Sequence, residues 1–148
     1  MNTPQAPSLS IRFIGVGNAG VAMLDSIAAR ELAGATCVAV NADEASLAAS
    51  VVAERVSLES KTFRGMGTGG DPGRGRELAE EQYGRLKSLC EGSQVVFILA
   101  GLGGGVGSGA APVVARAAKE CGALVIGFVA LPFDFEGGRR MRQAEQAH

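Results

Sequence analysis

The sequence predicts an α/β fold, a Rossmann-like three-layer sandwich built on a mostly parallel, doubly wound sheet. Three observations predict it. Short apolar runs alternate along the chain with segments of helical period, the order that βαβ units produce. Two stretches, Gln94 to Leu99 (apolar from Val95 on) and Leu124 to Val129, are continuous apolar runs. Such runs suit parallel strands covered on both faces, whereas half-exposed strands alternate. Finally, glycine clusters fall just after apolar runs and just before helical segments, where α/β sheets turn from strand to helix.

Residues Met1 to Ser10 carry no charge and two prolines, and read as a disordered tail with no signal-peptide pattern. Ile11 to Val16 is an apolar strand containing Arg12, and Val21, Leu24 and Ala28 then mark one helical face. Thr36 to Val40 is a second strand that ends at Asn41. Asp43 to Ser50 is a short Ala-rich helix, and Arg55 to Leu58 a third short strand. A Gly-rich connection, Gly65 to Gly73, leads to a helix from about Gly75 to Cys90, with Ala79, Tyr83, Leu86 and Cys90 on one face. The strand Gln94 to Leu99, the glycine run, a small-residue helix from Ala110 to Lys119 and the strand Leu124 to Val129 follow. Right-handed crossovers between these strands place the loops after strands one and four together at the carboxyl edge of the sheet. The loop before the third helix joins them there.

Composition narrows the function classes. The length, 148 residues, fits one domain with a real core. The 14 basic and 15 acidic residues nearly cancel, which argues against a nucleic-acid surface; Arg139, Arg140 and Arg142 read as a small surface cluster. Cys37, Cys90 and Cys121 lie far apart without metal spacing. They read as small buried hydrophobes of a reducing, cytoplasmic compartment. The only histidine is His148, so no His-based triad or metal site can be built. The longest apolar stretch, Ala123 to Phe133, is too short to span a bilayer and contains Pro132, so direct membrane insertion is not expected.

The run from Ala100 to Pro112 holds six glycines between a strand and a helix. Glycine lets the backbone approach a ligand closely. A helix start presents free N–H groups and the positive end of the helix dipole, and together these make an anion site, most naturally for phosphate. The bland alternative is a flexible surface loop, but linkers are seldom pinned between a buried strand and a helix. Gly15-Val16-Gly17-Asn18-Ala19-Gly20 also matches the dinucleotide fingerprint G-x-G-x-x-G. An NAD-dependent oxidoreductase would need an acidic residue at the end of the second strand for the ribose. Asn41 stands there, and Asp43 comes two residues later. A P-loop enzyme is disfavoured, because no G-K-[ST] follows any of these glycines.

At this point five ordered motifs carry a resemblance. Gly103-Gly104-Gly105-Val106-Gly107-Ser108-Gly109 resembles the tubulin signature G-G-G-T-G-T-G. Ile11 to Gly17, Asn41-Ala42-Asp43, Gly65 to Pro72 and Pro132-Phe133-Asp134-Phe135-Glu136-Gly137 resemble the corresponding segments of the bacterial branch of that superfamily, the FtsZ cell-division GTPases. The similarity runs from Ile11 to about Ala147. It implies a nucleotide-binding domain over residues 11–148 and GTP/GDP with Mg²⁺ as cofactors. It further implies GTP-dependent filament assembly by self-association or with full-length FtsZ-like subunits.

The resemblance also implies roles. Gly15, Gly17, Asn18, Ala19 and Gly20 would lie along the α- and β-phosphates, and Asn41 and Asp43 near the phosphates and Mg²⁺. Gly67, Thr68, Gly69 and Gly70 would approach the γ-phosphate. Gly103, Gly104, Gly105, Val106, Gly107, Ser108 and Gly109 would wrap the phosphates. Pro132, Glu136 and Arg140 would face the ribose and base. Departures from the family pattern are also plain. Val106 and Ser108 stand where the family has Thr, and Val21-Ala22 follows Gly20 where the family continues with Asn. The chain reaches His148 before the family's central helix, its N-x-D-x-x-D catalytic loop and its C-terminal domain. The expectation is therefore a truncated GTP-binding domain with no catalytic residue of its own. The alternatives are a short pseudo-GTPase or filament-capping module and, further off, the NAD enzyme.

Overall fold

The computed structural model describes residues 9–30, 34–58, 68–131 and 147. Five strands, β1 (Ile11–Val16), β2 (Ala35–Asn41), β3 (Glu54–Ser57), β4 (Val95–Gly101) and β5 (Leu124–Ala130), form one sheet in the order β3-β2-β1-β4-β5. Every pairing is parallel, with Val16 of β1 opposite Val40 of β2 and Ala100 of β4. The chain starts in the centre, winds out to β3, crosses back and winds out to β5.

Side-chain alternation along the strands sorts the core into two layers. Ile14, Val16, Val38, Val40, Val96 and Ile98 pack on one face against α3 (Pro72–Glu81), α4 (Tyr83–Cys90) and α5 (Gly105–Glu120). Ala39 and Leu99 meet α1 (Gly17–Ala28) and α2 (Glu44–Ala49) on the other. This is the three-layer arrangement expected from the sequence. Phe13, Phe97 and Phe128 stack in a row across β1, β4 and β5, at centroid separations of 4.8 and 5.9 Å. At the edge, β5 leaves Leu124 and Phe128 more than half exposed. No described helix is long and apolar enough to cross a membrane.

Two helices differ from expectation. The helix expected over Gly75 to Cys90 starts earlier, at Pro72, and divides at Gln82 (φ −107°, ψ 19°). Asp71 sets the start by accepting a 2.9 Å bond from Gly73 N, with Pro72 at the first helical position where its missing N–H is not needed. At the break, Gln82 Nε2 donates to the Ser57 carbonyl at 3.1 Å and anchors the bend on β3. The helix expected from Ala110 begins five residues earlier, at Gly105, so half of the glycine run is helical. Glycine disfavours a helix by about 1 kcal/mol per residue relative to Ala. Tight packing of those glycines against neighbouring backbone overrides the penalty. A polar cluster joins α3, α4 and α5 at the surface. Arg116 bonds Glu80 at 2.6 Å and lies 4.6 Å from the centroid of the Tyr83 ring, whose hydroxyl donates to Glu120.

Candidate functional site

Strand order reverses between β1 and β4, and in doubly wound sheets ligands bind outside the strand ends at that point. Here α1 leaves β1 directly, and α5 follows β4 after three residues. Every helix begins with N–H groups that have no partner within the helix. At α2 and α3 a side chain supplies one. Asp43 accepts from Ala45 N (3.0 Å) and Ser46 N (3.2 Å), and Asp71 accepts from Gly73 N. At α1 and α5 the N-cap residues are Val16 and Gly104, and no side chain caps either helix. The start of α4 also lacks a side-chain cap, but α4 continues from α3 through Gln82; the uncapped helices that follow a strand are α1 and α5, which meet at the reversal point.

Their ends are in contact. A Cβ added at Gly17 (φ +77°) would stand 3.0 Å from Gly107 N, and one added at Gly101 would stand 2.5 Å from the Ala19 Cβ. The motif glycines divide into two physical classes. One class permits backbone-on-backbone packing. A Cβ at Gly20 would fall 2.2 Å from Leu99 O, one at Gly107 2.1 Å from Gly101 O, and one at Gly109 2.0 Å from Pro72 O. Gly15, inside β1, makes room for the Gly20 carbonyl in the same way. The other class borders open space: Gly69, Gly70 and Gly104 would place a Cβ against nothing within 4 Å. Gly69, Gly70 and Gly103 also take positive φ (61°, 81° and 100°), conformations that favour glycine.

The polar members are firmly placed. Asn41 is 1% exposed; its Nδ2 donates to Asn18 Oδ1 at 2.7 Å, and its Oδ1 accepts from Ala42 N at 2.8 Å. Ser108 is buried, and its Oγ accepts from Gly103 N at 2.7 Å, holding the glycine turn shut from inside. Val106 is buried and belongs to the core, with its Cβ beside Gly17. Thr68 is buried against Gly105, where a Cβ would fall 1.9 Å from its Oγ1. The bond from Asp71 N to Thr68 O (3.1 Å) closes the turn through Gly69 and Gly70. The structure therefore brings the first glycine loop, Asn41, the turn at residues 68–70 and the glycine run together at the carboxyl edge of the sheet, with Asp43 two residues beyond Asn41. Gly67, Pro132, Glu136 and Arg140 lie outside the described residues. Among the described residues, no three His, Cys, Asp or Glu side chains gather as a metal site. Asp71 escaped the sequence reading as a site-shaping residue, although Asp71-Pro72 is itself a helix-start signal.

A family model described as "Tubulin/FtsZ family, GTPase domain" matches residues 10–148. The chain belongs to the Tubulin/FtsZ family. Among curated family members it is 43% identical over 137 residues to the cell division protein FtsZ of Rickettsia felis and 42% to that of Rickettsia conorii. The match covers 93% of this chain but 30% of either relative's length. Among solved Tubulin/FtsZ structures, an empty FtsZ dimer from M. jannaschii superimposes with a TM-score of 0.91 at 38% identity, covering 95% of this chain and 41% of that one. CetZ2 from Haloferax volcanii, solved as a GTPγS-bound protofilament, gives 0.86 at 30% identity, covering 94% and 45%. The five-stranded parallel sheet and its helices are thus the fold of the Tubulin/FtsZ GTPase domain.

Proposed function

We propose that this chain is the phosphate-binding part of an FtsZ-like protein that binds GTP and GDP and assembles into GTP-dependent filaments for cell division. One observation carries the reading. In a member of the Tubulin/FtsZ family, two helix N-termini that lack side-chain caps, those of α1 and α5, meet at the reversal point of the sheet. Backbone N–H groups of residues 17–20 and 104–107 would donate to the phosphates, and both helix dipoles favour the negative charge. Gly104, Gly69 and Gly70 leave the crevice wall without side chains, so a large polyanion can approach the backbone. Mg²⁺ bound with the nucleotide would offset phosphate charge, with Asp43 as a nearby carboxylate and water completing its shell. That division of labour fits a site without three gathered protein ligands. Gly67 to Gly70 would meet the γ-phosphate, and Pro132, Glu136 and Arg140 the ribose and base. NAD is disfavoured because the second strand ends in Asn41, whose amide is committed to Asn18 and to backbone N–H groups. Hydrolysis is assigned to no residue of this chain. Self-association follows from the filament reading.

Calorimetric titration with GTP, GDP, ATP and NAD in Mg²⁺ buffer tests the proposal. Guanine nucleotides bind and NAD does not. Tight NAD binding without a guanine response would refute it.

A further inference from the structure

A buried carboxamide needs partners at both ends. Asn41 has them: its Oδ1 accepts from the N–H of Ala42 (2.8 Å) and Asp43 (3.3 Å), and its Nδ2 donates to Asn18 Oδ1 (2.7 Å). The two backbone donors fix which way the Asn41 amide points. Only its N–H end can then face Asn18, and that end selects the oxygen of the Asn18 amide. Asn18 is exposed, in the first turn of α1. Left alone, such a side chain could turn either end outward. With its oxygen held, its Nδ2 and two N–H bonds remain on the outer side, beside the uncapped backbone donors of the same turn.

We propose that Asn41 is a positioning residue for the phosphate crevice and acts through Asn18, which it holds with the donor end toward the bound anion. This rests on the nucleotide reading above. The same bond joins the start of α1 to the turn between β2 and α2, so both present themselves to the ligand as one unit.

A double-mutant cycle tests the proposal, with Kd for GDP measured by calorimetry and Tm measured beside it. Asn41→Asp is nearly isosteric. Its carboxylate still accepts from Ala42 and Asp43, but it can only accept from Asn18, so the Asn18 amide must turn over and present oxygen to the anion. Asn18→Ala removes the donor; it weakens GDP binding roughly tenfold, because a hydrogen bond to a charged group is lost, and lowers Tm by a few degrees, because the buried Asn41 Nδ2 loses its partner. Asn41→Asp weakens binding at least as much in the parent chain. In the Asn18→Ala background it weakens binding only a few-fold, through added negative charge. Multiplying effects, or an Asn18→Ala affinity within twofold of the parent, would overturn the proposal. If Asn41→Asp does not fold, side-chain amide NMR of the parent chain decides: the Asn18 Nδ2 signals shift on GDP addition, and unmoved signals would overturn it. A parent chain that binds neither GDP nor GTP overturns the nucleotide reading and this inference together. A parent that binds GDP with Asn18 silent overturns the inference alone.

Discussion

The two classes of glycine predict opposite outcomes from one substitution within one sequence motif. An alanine Cβ at position 109 would sit 2.0 Å from Pro72 O and 2.7 Å from Arg76 N, both main-chain atoms. Ordinary carbon contacts need about 3.5 Å, so α3 and α5 must part by about 1.5 Å. Forcing a packed interface in this way costs about 2–3 kcal/mol, the upper part of the usual range because the atoms met are main chain, offset by about 1 kcal/mol of helix propensity gained. A net loss of about 1–2 kcal/mol lowers Tm by roughly 3–8 °C in a chain of this size. At position 104 the Cβ meets nothing within 4 Å, and φ −88°, ψ 165° is extended backbone open to alanine. Gly104→Ala costs less than about 1 kcal/mol, from the poorer N-cap. Its methyl, however, stands in the proposed phosphate space, and GDP affinity falls roughly tenfold or more. Thermal melts and GDP titrations of the two variants check both halves. Gly109→Ala melting with the parent chain would refute the packing reasoning, and Gly104→Ala binding GDP normally would refute the placement of the ligand.

Val106→Thr places a hydroxyl beside Gly17 in the first turn of α5. If it reaches a phosphate oxygen, GTP affinity rises roughly tenfold, since such bonds contribute about 1.5–3 kcal/mol, and equal affinities in paired titrations would show the Val to be neutral. Cys90 is fully buried, and burial with Cys121 nearby pushes its thiol from 9.0 to about 11. A folded-state value above the unfolded one favours folding below pH 9 and loses that contribution as pH rises toward 11. Stability therefore falls across that window, and thiol reagents label Cys90 at pH 8 only on unfolding; rapid labelling of the folded chain would contradict this. Glu80 is held below the ordinary glutamate value by its hydrogen bond from Arg116. A depressed folded value gives stability that is present above the unfolded value and lost as pH falls through the folded one. Glu80→Gln accordingly flattens the acid limb of the stability–pH curve and leaves the neutral melt little changed; an acid limb identical to that of the parent chain would contradict this.

The parts of the fold that were legible in the sequence are those with local causes. The unbroken apolar run of β4 announces its burial, and Asp43 announces a helix start by its own short-range bonds; the equally apolar β5 suggests the same, but it is the sheet edge and most of its residues are exposed. Glycine after strand, repeated, announces the crevice. What escaped depends on contacts distant in sequence. Gly105 to Gly109 look like loop, because their helix is stabilised by main-chain contacts with Gly101 and Pro72 rather than by propensity. The break at Gln82 is fixed by Ser57, 25 residues away. Ser108 resembles a ligand-facing hydroxyl by position, but its oxygen closes the Gly103 turn. The pairing of Asn18 with Asn41 joins two motifs whose spacing says nothing about their touching.

Guanine nucleotide is proposed to bind where the uncapped ends of α1 and α5 meet. Amide NMR of the ¹⁵N-labelled chain, titrated with GDP and Mg²⁺, tests this most directly. The backbone signals of residues 17–20 and 104–107 should shift together and saturate at one Kd, while those of α4 and the outer end of β3 stay in place. Signals that do not move on addition of GDP, or shifts confined to residues 27–28 and 51–54 on the far side of α1, would contradict it.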